Sequence, residues 1–317
     1  MTGAGSADRN SGEAESIESI LDSLRSGALP RPRTSKLVLT NWQVARKVLT
    51  KSLRLGASPT RRKLARQLFD SGYLQWPRKL EGIIRGRSVL DFGSGKGLHP
   101  LGYVALGATR SVGFDPFVPP STQDVKSKKT GTPISLATTL GSVGNYIPNV
   151  VFTSDLSEAT ERGPFDCVVM HNVSEHVPDL EGALAKVHAL LAPGGFFILH
   201  HHNFYCWDGH HSPPKTEEAI DLSSQAQIEV LDWAHIDFEA PPDHAIARLT
   251  LNRIRLDELR DQLERMFSIE MWTEIESPAG RGGGRFERIP TSVSKRFSER
   301  ELKVKNVLAV ARALDAD

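Results

Sequence analysis

The chain has 317 residues, of which 39% are apolar and 24% charged, and its net charge is +1. That balance excludes a disordered or fibrous chain, and the longest nearly uninterrupted apolar stretch, Leu190 to Leu199, is broken by Pro193-Gly194-Gly195, about half the ~20 residues a membrane-spanning helix needs. The cysteines, Cys167 and Cys206, are too few for a disulfide framework or a thiolate zinc site; with no basic-then-apolar leader at the N-terminus, the expected setting is cytoplasmic.

The charge is unevenly placed. Residues 1–30 carry −3, residues 31–88 carry +13, and the remainder carries −9. Such a basic segment either faces an anionic partner (nucleic acid, a membrane surface, a phosphorylated substrate) or is a solvated helical cap on an acidic body.

In chain order, Ile17, Ile20, Leu21 and Leu24 have helical spacing, ended by Leu29-Pro30. Trp42, Ala45, Val48 and Leu49 predict a basic amphipathic helix, and another is expected over 59–67. The pattern then changes. Ser88 to Phe92 is a short apolar strand followed by Gly93-Ser94-Gly95-Lys96-Gly97, and Leu98 to Leu106 reads as a helix ended by Gly107. Ser111 to Phe114 is a second strand ending at Asp115, residues 116–149 form an unusually long connection, and Val150 to Phe152 is a third strand. Phe165 to Met170 is a fourth, Asp179 to Leu191 an amphipathic helix, and Phe196 to Leu199 a fifth strand. A helix marked by Leu256, Leu259, Leu263 and Met266 precedes two final strands, Phe267 to Ile275 and Val307 to Ala311. Strands that are apolar throughout and alternate with helices predict a mostly parallel sheet covered on both faces.

A strand, a glycine-rich turn and a helix place backbone N–H groups where an anionic group can approach closely. Gly-x-Gly alone is weak evidence. Here Asp91 precedes the glycines and Asp115 ends the next strand, where an acid can accept both hydroxyls of a ribose. The spacing fits neither the nicotinamide fingerprint nor a P-loop. An acid before the glycines repels a pyrophosphate but pairs with an ammonium group.

Val89-Leu90-Asp91-Phe92-Gly93-Ser94-Gly95-Lys96-Gly97 resembles the first motif of class I S-adenosylmethionine-dependent methyltransferases of the type 11 kind. Gly113-Phe114-Asp115 resembles their second-strand acid. Phe165 to Asn172 with Ser174-Glu175-His176-Val177 resembles the fourth strand and its exit loop, and Leu191-Ala192-Pro193-Gly194-Gly195-Phe196 the turn before the fifth strand. The four occur in order over about residues 87–200.

The resemblance implies a Rossmann-like seven-stranded α/β sheet, with helices on both faces and an antiparallel final hairpin, and S-adenosylmethionine as cofactor. It places the backbone of Gly93, Ser94, Gly95 and Gly97 around the methionine part, Asp91 near its ammonium, Asp115 on the ribose, Leu156 on the adenine ring and His171 in the pocket wall. Asp155 is either an adenine contact or a helix N-cap. The expected domains are an acidic tail with a short helix (1–30), a basic helical cap or lid (31–86), and a methyltransferase domain (87–317) with an acceptor-specificity insertion at about 204–250.

A hydroxyl acceptor needs a base near the transferred methyl. His200, His201 and His202 end the fifth strand, at the sheet edge where ligands of open α/β sheets bind. Cys206-Trp207-Asp208-Gly209-His210-His211 follows, and His176 is a further candidate on the exit loop. One of these histidines is read as a general base, and no residue is assigned to a metal. Two other readings stay open: a divalent metal held with Asp208 that chelates a sugar or catechol, or histidines that only pack. Phe204, Tyr205, Trp207 and Trp233 are either an acceptor-stacking wall or core. The expected activity is methylation of a small molecule or saccharide, anionic or lipid-linked among the options. The alternatives are an RNA methyltransferase gripping phosphates with residues 31–88, an N- or S-methyltransferase of small molecules, and a non-catalytic cofactor-binding partner. The basic helices leave peripheral membrane contact and homodimer formation open.

Overall fold

Among the described residues, seven strands form one mixed sheet in the order β3-β2-β1-β4-β5-β7-β6. They are β1 (Ser88–Phe92), β2 (Arg110–Phe114), β3 (Val150–Thr153), β4 (Phe165–His171), β5 (Leu191–His202), β6 (Phe267–Glu276) and β7 (Val304–Ala313). This computed structural model describes residues 17–25, 68, 70–134, 138–145, 147–239, 251–276 and 285–314. The helices expected near residues 41–51 and 59–67, and with them most of the basic segment, lie outside the described residues, as do 240–250 of the insertion.

Strands β1 to β5 pair in parallel, and β7 pairs antiparallel with both β5 and β6. The parallel strands are buried on both faces because helices cover both, which is why they lack a polar–apolar alternation. Successive side chains point to opposite faces. Cys167, Val169, Phe196, Ile198, Leu308 and Val310 join one core cluster, and Val168, Met170, Phe197, Leu199, Val307 and Ala309 join the other.

The first face is covered by α2 (Gln75–Lys79), α3 (Glu81–Ile84) and α4 (His99–Ala105), with α1 (Ile17–Arg25) against α3. The connection expected over 116–149 also belongs there: Val118, Val125, Ile134, Leu140, Val143 and Ile147 are buried in the same cluster. The other face is covered by α5 (Leu156–Glu161), α6 (Leu180–Leu190) and α7 (Leu256–Glu264). Asp179 caps α6 by accepting from Gly182 N at 2.9 Å, one residue inside the start expected from sequence.

Two elements differ from expectation. β5 runs from Leu191 through the Pro193-Gly194-Gly195 turn to His202, because each residue from Phe196 to His202 pairs with β7. His200, His201 and His202 are therefore paired strand residues with fixed faces. The described part of the insertion does not form an open loop: Phe204, Trp207 and Trp233 are at most 2% exposed and pack with Val293 and Leu302 in a third cluster. Asn203 ties this region to the sheet, its amide donating to Glu301 O and Val304 O, both at 2.7 Å, and its oxygen accepting from Tyr205 N at 3.0 Å.

Candidate functional site

A cavity of about 370 Å³ opens at the carboxyl ends of β1 and β4, where open α/β sheets place their ligands. Asp91, the Gly93–Gly97 turn, His171 and Asn172 line it together with Tyr73, His99 and Lys128. The last three come from the segment before β1, from α4 and from the 116–149 connection. Their packing depends on distant residues, and no local motif marks them.

The glycine turn is folded as a rigid frame. Gly93 and Gly95 have φ of +78° and +55°, a region that favours glycine. At Gly93 a Cβ would lie 2.4 Å from Val173 Cγ1, so the β4 exit loop can approach only glycine. At Gly95 a Cβ would meet nothing nearer than Asp115 Oδ2 at 4.0 Å and would occupy open pocket space. One expectation is corrected here. Three amides of this turn are already paired: Gly93 N and Ser94 N both donate to Phe114 O, at 2.7 and 2.9 Å, and Gly95 N donates to Asp115 at 2.9 Å. Buried or half-buried amides must be paired, and the end of β2 pairs them.

Asp91 is 2% exposed. Burial raises its carboxyl to about 7; the Tyr103 hydrogen bond and Lys128 pull it down, and Asp115 pushes it up. Tyr103 donates to Asp91 at 3.4 Å and accepts from Trp76 Nε1 at 3.2 Å. Asp115 is held at both oxygens, by Gly95 N and by Phe117 N at 2.9 Å. Burial lowers Lys128, which the Asp91 charge opposes.

Asp155 is the N-cap of α5, its Oδ1 accepting from Ser157 N at 2.8 Å and Ser157 Oγ at 2.7 Å. Leu156 is partly buried against the second cluster. Asp166 joins β4 to β1: its Oδ2 accepts from Ser88 N and Ser88 Oγ, each at 2.8 Å.

The predicted base candidates separate. His200 and His202 fall on the same sheet face as Ile198, and His201 on the other. His200 Nδ1 donates to Asn172 Oδ1 at 2.7 Å. Its ring stacks on His171 at 5.1 Å, and His171 stacks on Trp76 at 4.3 Å. Burial, then Lys79 and His202, lower His200 to about 4. Burial, reinforced by His99 and His200, lowers His171 still further. Both imidazoles are thus neutral near pH 7.

His201 is fully buried, its Nδ1 bonded to Ser174 Oγ at 2.9 Å, and burial lowers it to about 3. Its face and burial remove it from the cavity that His171 lines. His176 sits edge-on to His211 at 5.0 Å. Phe204, Tyr205, Trp207 and Trp233 are core, one of the two readings the sequence left open. Tyr73 is an aromatic ring that lines the cavity, and the buried Trp76 lies behind its wall, stacked on His171.

The donor set fits S-adenosylmethionine. A 370 Å³ cavity is within the range of small-ligand sites. It offers a buried carboxylate lacking a close cationic partner, an ammonium from Lys128, and open room over Gly95.

Residues 55–266 match the family model described as a methyltransferase domain. No curated protein matches the chain. Similar solved structures include an S-adenosylmethionine-dependent methyltransferase from Listeria monocytogenes, at 15% identity over 78% of this chain and all of that one, with a TM-score of 0.44. Another is the 1,6-didemethyltoxoflavin-N1-methyltransferase of Burkholderia thailandensis, at 16% identity over 90% and 94%, with a TM-score of 0.41. A third is the N-methyltransferase NodS of Bradyrhizobium japonicum, at 13% identity over 86% and 99%, with a TM-score of 0.38. With two thirds of its length matching that one model, the chain belongs to the methyltransferase domain family and is an S-adenosylmethionine-dependent enzyme of it.

Proposed function

We propose that the enzyme transfers a methyl group to a hydroxyl of a small molecule or saccharide in the cytoplasm, with His200 as general base. The observation that carries this reading is the His200–Asn172 contact at 2.7 Å, in which Asn172 also lines the cofactor cavity. With Asn172 Oδ1 accepting, Nδ1 carries the hydrogen and Nε2 keeps its lone pair. A base oriented by a third group is the arrangement proton abstraction requires.

The bound cofactor supplies a methyl group already activated on a sulfonium. The chain's own residues align and desolvate. Asp91 accepts from the cofactor's ammonium, and Lys128 pairs with its carboxylate. Asp115, already oriented by two amides, keeps lone pairs for the ribose hydroxyls. Gly93, Ser94, Gly95 and Gly97 shape the floor. Asp155 would offer its carboxylate to the adenine amino group, and Leu156 would pack on the ring. His171 and Trp76 wall the acceptor side and exclude water, so that the acceptor proton passes to His200 Nε2.

The test is transfer of labelled methyl from S-adenosylmethionine into fractionated extract. Label in small-molecule or glycolipid fractions is expected, lost in Asp115→Ala. His200→Ala should keep cofactor affinity and lose ~10²–10⁴-fold in turnover. Label in nuclease-sensitive material would overturn the acceptor class, and full turnover in His200→Ala would overturn the base.

A further inference from the structure

A second cluster of chemistry-bearing side chains lies beyond the cofactor cavity, at the carboxyl ends of β4 and β5. Glu175 comes from the β4 exit loop, His202 from the last position of β5, and His211 from the segment after it. Each offers one ligand atom, and the three atoms lie within 4.8 Å of one another. The rings of His202 and His211 are 4.2 Å apart.

Glu175 is 1% exposed, and neither of its carboxylate oxygens has a hydrogen-bond partner of normal geometry. His211 Nε2 is buried and unpartnered as well. Its backbone φ of +58° is a conformation that non-glycine residues rarely hold. A buried carboxylate without a partner is costly, and burial of charge is normally met by a counter-ion or a metal. Asn252 fixes the exit loop from behind, donating through Nδ2 to Ser174 O at 2.6 Å and Val177 O at 3.0 Å, and through its backbone to Glu175 O at 2.9 Å.

We propose that Glu175, His202 and His211 bind one divalent transition-metal ion of the zinc class. Two imidazoles and one carboxylate are a donor set that such ions favour, and three protein ligands leave a fourth position for water or an acceptor oxygen. A neighbouring set, His202 with Cys206 and Asp208, is also close enough to hold an ion. It is the weaker choice, because the Asp208 carboxylate is already compensated by the Lys305 ammonium and bonded by Cys206 Sγ at 3.3 Å. The basic group nearest Glu175 is His201 Nδ1, 3.9 Å from Oε2, and that nitrogen is already bonded to Ser174 Oγ in an imidazole that burial keeps neutral.

The test uses the full-length protein, freed of metal by a chelator and titrated with Co²⁺ alone while its visible absorption is followed. One Co²⁺ per chain with ligand-field bands is expected, weakened at least ~100-fold in Glu175→Gln and in His211→Asn. No binding by the unsubstituted chain would overturn the proposal and leave Glu175 as a neutral, protonated carboxyl. Binding that survives Glu175→Gln, or a thiolate-to-cobalt charge-transfer band before any substitution, would overturn it by moving the ion to Cys206. Should Glu175→Gln fail to fold, His211→Cys decides: a new thiolate band places the ion at position 211, and its absence overturns the assignment.

Discussion

At Asp91 burial and ligand binding pull in opposite directions. Its carboxyl, raised to about 7 by burial, is protonated in the free protein below neutral pH, whereas an ammonium partner needs it charged. Affinity for S-adenosylmethionine should therefore be flat above about pH 7 and fall by up to tenfold per unit below it, as isothermal titration would show. The folded chain also keeps a proton that the unfolded chain releases between about pH 4 and 7. Stability of the free protein thus declines as pH rises through that window, by up to about 4 kcal/mol. Asp91→Asn should remove that decline in a series of thermal melts and weaken the cofactor ~10–100-fold. Gly93 allows a second test. Gly93→Ala places a methyl group against Val173 at positive φ and should cost roughly 2–4 kcal/mol in denaturant unfolding. Val173→Ala in the same chain should recover part of that loss, since only the steric component is removed. Asp91, Asp115 and the glycines were legible in the sequence because their geometry is local, set by a strand and the turn that follows. Tyr73, His99 and Lys128 were not, because packing from distant segments brings them to the cavity.

At the scale of elements, β5 shows what sequence alone conveys and what it conceals. Its apolar centre marks a strand that the three histidines end, and pairing with β7 fixes them in register. Alternation then separates His200 from His201, a distinction that depends on where the strand ends. The 116–149 connection was similarly opaque: Val118, Val125 and Ile134 are isolated anchors with no 3.6 or 2.0 period, and Leu140, Val143 and Ile147 keep helical spacing for only two turns. The insertion's aromatics pointed to a ligand or to core with equal force, and the third cluster shows them as core. That cluster hangs on Asn203, which is fully buried and makes three hydrogen bonds to β7, α8 (Glu299–Lys303) and the turn after β5. Asn203→Ala should destabilise the chain by about 2–5 kcal/mol, since two carbonyls and an amide lose their partners in a buried site. Chemical denaturation would measure this. Hydrogen exchange should show the loss concentrated in 204–239, with β1 to β4 protected as before.

For the whole molecule, a seven-stranded, mostly parallel sheet with an antiparallel final hairpin followed from the resemblance of four motifs, and the structure adds the strand order. The charge pattern led to less: most of the +13 segment lies outside the described residues, and no helix among the described residues is long and apolar enough to cross a membrane. What is described of residues 70–84 packs on the first face of the sheet as part of the same core, so the boundary at residue 86 divides sequence composition more than it divides structure. Trp76, from before β1, reaches Asp91 through Tyr103 by two hydrogen bonds. A change at either end of that chain must be felt at the other, and linkage makes the effect mutual. If a bound amine draws Asp91 into its charged form and tightens Tyr103, the indole that walls the far side is held in place. An acceptor resting on that indole must in turn strengthen retention of the cofactor by the same factor. Initial-rate plots with both substrates varied should then intersect to the left of the ordinate and above the abscissa, and Tyr103→Phe should move the crossing onto the abscissa, leaving two ligands that bind without regard to one another.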